Sequence, residues 1–191
     1  MRSIMLDSSR PEELLNIALS AFENGTGYAA ALDRLPVPIY STDSEGRVTY
    51  WNQACVDFAG REPQLGHDRW CVLWQLHTTA GEPLPHVNGP MAKAIKQQRP
   101  IRNEVAIALR PDGSRAAFRA YPTPLFDEQG GLTGAINMLI DISEEQAGAL
   151  TDQAARCRRL ARATNDQTAS DILRSMASGY EQTADALRNE D

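Results

Sequence analysis

The chain has 191 residues, 42% of them hydrophobic, and a formal net charge of −6. This composition supplies a folded core and excludes a wholly disordered chain, and its acidic balance argues against general nucleic-acid binding. The first ten residues lack the apolar run of a signal peptide and no stretch approaches the roughly 18 apolar residues of a membrane span, so a cytoplasmic protein without a membrane segment is expected.

Ser9-Arg-Pro-Glu12 fits a capping box with proline in the first turn, and Leu14, Leu15, Ala18 and Phe22 follow at near-helical spacing, predicting a helix over 11–23. Asn24-Gly-Thr-Gly27 breaks it, and a short helix is expected over 28–34. Val37 to Thr42 and Arg47 to Trp51 read as strands joined by the turn Asp43-Ser-Glu-Gly46. Asn52 is placed to cap a helix over 53–59, and Gly60 to end it. Between 61 and 85, Pro63, Gly66, Gly81, Pro83 and Pro85 prevent long elements, while Trp70, Val72, Leu73, Trp74 and Leu76 are bulky and apolar. Short helical turns packed on a core are expected there, then a helix over 87–98 with Met91, Ala94 and Ile95 as its inner stripe.

Three strands are predicted next, over 101–109, 115–123 and 132–142, separated by the turn signals Pro111-Asp-Gly113 and Asp127 to Gly131. The remainder reads as two helices, 144–163 and 167–188. In the second, Leu173, Met176, Tyr180, Ala184 and Leu187 recur in threes and fours, which suits helix pairing. The order predicts an α+β fold: a five-stranded antiparallel sheet with helices on one face, an N-terminal helix and a C-terminal helical hairpin. The corresponding segments are an N-terminal helical cap (1–34), a sheet domain (35–143) and a helical extension (144–191).

Ile39-Tyr-Ser-Thr-Asp43 followed by Gly46-Arg-Val-Thr-Tyr-Trp-Asn52 resembles the opening hairpin and helix cap of PAS domains, a family of sensory and interaction modules. Asp68-Arg-Trp-Cys71, Pro83-Leu-Pro-His86 and Gly89-Pro-Met91 resemble the PAS sensors attached to bacterial histidine kinases of the HWE type. Arg110-Pro-Asp-Gly113, Tyr121-Pro-Thr-Pro124, Gly134-Ala-Ile-Asn-Met138 and Asp141-Ile-Ser143 extend the resemblance over about residues 30 to 145. No kinase region is expected, because His67, His77 and His86 all precede the last three strands and the helical tail has no phosphoacceptor histidine.

On the last strand Ala135, Asn137, Leu139 and Asp141 share one face; Ile136, Met138, Ile140 and Ile142 share the other. The PAS resemblance implies that the Asn137 face looks into a ligand pocket, for which Tyr40, Trp70, Trp74, Met91, Asn137 and Leu139 are the candidate residues. The opposite face is too apolar to stay in water and needs a cover: the N-terminal helix, the C-terminal helices or a second subunit. Asp141 and Ser143 stand where strand meets helix, as candidate signal-junction residues able to bond backbone groups. Arg156, Arg158, Arg159 and Arg162 form a basic cluster and are the candidate partner-binding residues.

The residues argue against haem and flavin: His86 precedes the central helix inside a proline-bounded turn, and neither Cys55 nor Cys71 has the setting of a flavin-reactive cysteine. No CxxC pair is present and no metal-ligand spacing appears, so neither a metal site nor catalysis is expected. The sequence therefore reads as a non-catalytic sensory or protein-interaction module of bacterial signal transduction. Its expected partners are a signalling protein, a small-molecule ligand and a second copy, paired through the N-terminal helix and outer sheet face. The alternative is a regulator that binds nucleic acid through its arginine-rich helix.

Overall fold

A computed structural model describes residues 11–23 and 28–188. Ser9 of the expected capping box, the Asn24–Gly27 break and the last three residues lie outside the described residues. The elements are α1 (Pro11–Glu23), α2 (Tyr28–Leu32), β1 (Ile39–Asp43), β2 (Val48–Trp51), α3 (Gln53–Ala59), β3 (Gln75–His77), a 3₁₀ turn (His86–Asn88), α4 (Pro90–Gln97), β4 (Glu104–Leu109), β5 (Arg115–Ala120), β6 (Thr123–Phe126), β7 (Leu132–Asp141), α5 (Ser143–Ala163) and α6 (Gln167–Arg188).

The strands form one antiparallel sheet in the order β2-β1-β7-β5-β4-β3, with β6 also paired to β7. The last strand in sequence is thus the middle one in space. One edge of β7 bonds to β1, with Tyr40 opposite Asn137; its other edge bonds first to β6 and then to β5. Gly134 has a steric reason to be glycine, since a Cβ there would run into the Thr42 carbonyl of β1.

The alternation along β7 separates two cores. Ala135 and Leu139 join Tyr40, Leu73, Met91, Ile95 and Phe118 in a core beneath α3 and α4. Ile136 and Met138, on the other face, pack with Leu15 and Ala18 of α1, Leu32 of α2, and Ile39 and Tyr121. Farther along that face Ile107, Ala117 and Ile142 pack with Ala147 and Leu150 of α5 and Ala184 and Leu187 of α6. The chain's own N-terminal helices and C-terminal hairpin cover the apolar outer face. Much of the surface to which the sequence reading assigned a homodimer contact is therefore already occupied.

The sheet has seven strands where five were expected. Residues 61–85 contain no helix: they hold a turn of helical type, where His67 N–H and Asp68 N–H donate to Gln64 O at 3.2 and 3.0 Å, and three others form β3, paired to β4 with Leu76 opposite Ala108. The chain then returns along the other edge of β3, where Thr78 N–H donates to Glu82 O and Leu84 N–H to Leu76 O, both at 2.8 Å. The expected strand 115–123 ends at Ala120 and resumes as β6, because Pro122 has no N–H to continue the ladder.

Asn52 joins the N-terminal helices to the sheet domain. Its Oδ1 accepts from Cys55 N–H (3.2 Å), capping α3, and from Ile39 N–H (3.0 Å). Its Nδ2 donates to Leu32 O (3.1 Å) and Val37 O (2.9 Å). Gly60, at φ 63°, ends α3 in the left-handed region. Replacing buried Asn52 with alanine removes the cap and strands backbone groups at the end of α2 and the start of β1. Asn52→Ala should lower stability by about 2–4 kcal/mol, read as a reduced midpoint of urea unfolding.

Candidate functional site

Beneath α3 and α4 the inner face of the sheet is apolar except for a short polar chain and Thr42, whose buried Oγ1 has no hydrogen-bond partner among the described residues. Tyr40 and Asn137, opposed across β1 and β7, are 1% and 2% exposed. Asn137 Nδ2 donates to the Tyr40 hydroxyl at 3.1 Å, and that hydroxyl donates to Trp70 O, also at 3.1 Å. Asn137 Oδ1 accepts from Tyr121 N–H at 3.0 Å, at the bend between β5 and β6. Every link has a partner, as a buried polar chain requires if it is not to cost stability. Burial holds the Tyr40 phenol well above its ordinary pKa, so it stays a neutral donor.

The Trp70 end of this chain is held in an uncommon backbone state. Trp70 has φ 69°, which costs a non-glycine residue about 1–3 kcal/mol unless its surroundings impose it. Three contacts impose it here. Trp70 N–H donates to Gly46 O at 2.7 Å, Trp70 O accepts from Tyr40, and the indole lies on Gly46, where a Cβ would run into the ring. Beside them Cys71 is buried, and burial pushes its thiol up to about 11. Cys55 is raised further by burial, and its thiol donates to Ile39 O at 3.2 Å. Both are thiols rather than thiolates at neutral pH.

Of the six residues proposed for the pocket, Tyr40, Met91, Asn137 and Leu139 share this interior, and partly buried Trp70 packs on it. Trp74 does not: it is 51% exposed, with the Arg61 guanidinium 6.0 Å from its ring centroid. Cys71, Val72 and Leu73 are all buried where the chain bends without forming a helix, and the bend leaves the next side chain facing out. Trp74 instead lines a shallow cleft of about 330 Å³ with Leu76, His77, Pro83, Leu84 and His86. Phe118, edge-on to Phe58 at 6.1 Å between centroids, is an inner-core residue that the sequence reading did not single out. Its place two residues before Ala120 on a strand facing the core was the available signal.

At the far end of β7, Asp141 Oδ1 accepts from Ser143 N–H at 2.9 Å. Ser143 Oγ accepts from Ala117 N–H at 3.0 Å, and Ile142 N–H donates to Ala117 O at 2.9 Å. The first residue of α5 is thereby bonded to β5 as well as to the strand it continues. The four arginines of α5 are exposed; Arg158 pairs with Glu181 at 2.6 Å, across the hairpin. Among the described residues, no group of three or more His, Cys, Asp or Glu side chains is placed to hold a metal ion. No helix among them is long and apolar enough to cross a membrane.

The family model described as the PAS fold matches residues 32–147, more than half of the chain. The chain belongs to the PAS family. A search among curated proteins finds no sequence match. Among solved structures, an RNA-binding light-oxygen-voltage receptor aligns with 97% of this PAS protein at 17% identity and a TM-score of 0.49, and the chain spans 40% of that receptor's length. A light-oxygen-voltage protein of Rhodobacter sphaeroides aligns over 91% of this chain and 99% of its own, at 14% identity and a TM-score of 0.49. A light-oxygen-voltage domain whose mechanism was probed with a flavin analogue aligns over 66% of this chain and 93% of its own, at 18% identity and a TM-score of 0.50. Likeness at these identities concerns the fold. The PAS family supports a signal-sensing role.

Tyr40→Phe keeps the ring and removes the shared hydroxyl, leaving Asn137 Nδ2 and Trp70 O each without that partner. It should cost about 1–3 kcal/mol in chemical denaturation. In a double-mutant cycle with Asn137→Ala the two losses should be clearly less than additive.

Proposed function

We propose that this PAS protein is a non-catalytic sensory module that passes a change in its inner core to a protein partner through its helical hairpin. The observation that carries this reading is the path of β7. One residue of that strand, Asn137, bonds to Tyr40 in the inner core. Four residues on, Asp141 begins the set of bonds that fixes the first turn of α5. A shift of β7 relative to β5 would break or remake the Ser143–Ala117 bond and re-aim the hairpin. A signal acting on the core therefore needs only a small displacement to reach the surface.

The input is a small molecule or contact that rearranges the Tyr40–Asn137–Trp70 chain. Arg156, Arg158, Arg159 and Arg162 lie on the output element. A homodimer within this reading uses surface left open beside the outer face, such as the solvent side of α1, where Ile17 is exposed.

Hydrogen exchange read by mass spectrometry tests the coupling. Tyr40→Phe should accelerate exchange in the first two turns of α5 as well as around β1 and β7, under conditions where the protein stays folded. Faster exchange confined to the core, with α5 as protected as in the parent, would remove the basis for the reading.

A further inference from the structure

The hairpin has two unlike sides. The Arg158–Glu181 pair and the Arg188–Thr151 hydrogen bond cross between its helices on one side. At 100° per residue, Leu160 lies about 200° around α5 from Arg158. Met176 and Ile172 lie about 140° and 180° around α6 from Glu181. All three therefore emerge on the opposite side, and they are 51%, 44% and 57% exposed respectively. The Ser170 Oγ to Ala161 O bond, at 3.0 Å, sets the level of the two helices and brings Leu160 beside Ile172.

This apolar stripe is the continuation of a covered one. Ile172, Met176, Tyr180 and Leu187 follow one another along the same side of α6. Tyr180 and Leu187 pack on the sheet with Ile107 and Ala117, whereas Ile172 and Met176 do not. In that half the hairpin's own interior is made of Ala154, Cys157 and Ala177, with Leu173 and Tyr180 against them. The exposed side chains are thus surplus to the hairpin's packing. Beside the stripe stands Arg156, four residues before Leu160, and about 100° around α5 from Leu160, on the rim away from α6, stands Arg159. Both are exposed and, unlike Arg158, have no ion-pair partner among the described residues.

From this we infer that the outer half of the α5–α6 hairpin docks an acidic amphipathic helix of a partner protein, its apolar residues on Leu160, Ile172 and Met176 and its carboxylates on Arg156 and Arg159. Charge complementarity selects this occupant. An aliphatic centre with arginines at its rim is the make-up of a protein-protein contact, and the unpaired guanidiniums ask for carboxylates. A second copy would set the same stripe and the same arginines against themselves, and Asp171, the carboxylate next to Ile172, is already paired with Arg174 at 3.5 Å. A nucleic acid would use the arginines but leave the aliphatic side chains in water. The inference rests on the proposed output role of the hairpin and names the chemistry of its partner.

The test uses the full chain and two fluorescein-labelled helical peptides with the same leucine stripe, one with glutamate and one with glutamine at the polar positions. In fluorescence anisotropy the glutamate peptide should bind at least about tenfold tighter, with affinity falling as salt rises. Because the protein is itself acidic, nonspecific attraction does not favour that peptide. The Arg156→Glu/Arg159→Glu and Met176→Glu variants change exposed side chains and should each weaken binding at least about tenfold, with the circular dichroism melt unchanged.

Equal binding of the two peptides, or none, overturns the inference. So does RNA-oligonucleotide binding that is lost on charge reversal yet survives Met176→Glu. A dimer in sedimentation that Met176→Glu dissociates assigns the face to a second copy and overturns it as well. Peptide binding requires no signal in the core, so its failure leaves the exchange test of core-to-helix coupling standing, and the reverse holds equally.

Discussion

The structure turns on the position of β7. It is last in the sheet's sequence and central in its space, bonded along both edges and covered on both faces. Such a strand has no freedom to slip by one residue, because that would carry Ile136 and Met138 into the inner core and push Asn137 into the outer one. Its alternation therefore fixes the register of β1, β5 and β6 together. The middle of the sheet closes only when residues 132–141 are added, because β7 joins the local hairpins β1–β2 and β4–β5, the first of which lies far from it in sequence. Long-range closure of this kind carries a loop-entropy cost that local hairpins do not offset, and it makes the sheet a late, cooperative event of folding.

Two asparagines divide the polar work of the fold. Asn52 is a structural knot: both ends of its amide are used, and its bonds bring α2, β1 and α3 to one point. Asn137 also uses both ends, but its partners are a movable side chain, Tyr40, and the backbone at the β5–β6 bend. The first arrangement joins backbone to backbone through a single rigid amide. The second passes through a hydroxyl that can rotate and ends at Trp70, whose backbone is held by contacts rather than by its own preference. Strain concentrated at one end of a polar chain, and a strand leading away from the other, are the two features on which the proposed sensory role rests.

Much of this was legible in the sequence where local chemistry decides structure. The Asn52 cap, the Gly60 stop, the opposed faces of β7 and the two long helices follow from spacing and capping alone. Residues 61–85 did not yield to the same reading. The prolines and glycines there correctly forbid long elements, but a three-residue strand has too few side chains to display a period. β3 exists because β4 offers it an edge. The exposure of Trp74 belongs to the same stretch, since its direction is set by the bend at 72–74 rather than by a regular element. The break between β5 and β6 was visible as Pro122, yet the strand-forming residues around it masked its effect. The candidate residues on regular strands, Tyr40, Asn137 and Leu139, lie together because period two fixes which face each takes, whereas the partner of each polar atom could only come from the fold.

The return of residues 82–84 along β3 bears on how the molecule behaves among its neighbours. An open sheet edge is a template on which any extended chain can add itself, and repeated addition leads to fibrous aggregates. Here the rim is closed from within. The returning segment takes up donors and acceptors that β3 would otherwise present to solvent, and Pro83 and Pro85 give a would-be intruder no amide hydrogens at their own positions. The two prolines that flank the returning segment are thus a means of keeping the molecule from growing by its own edge.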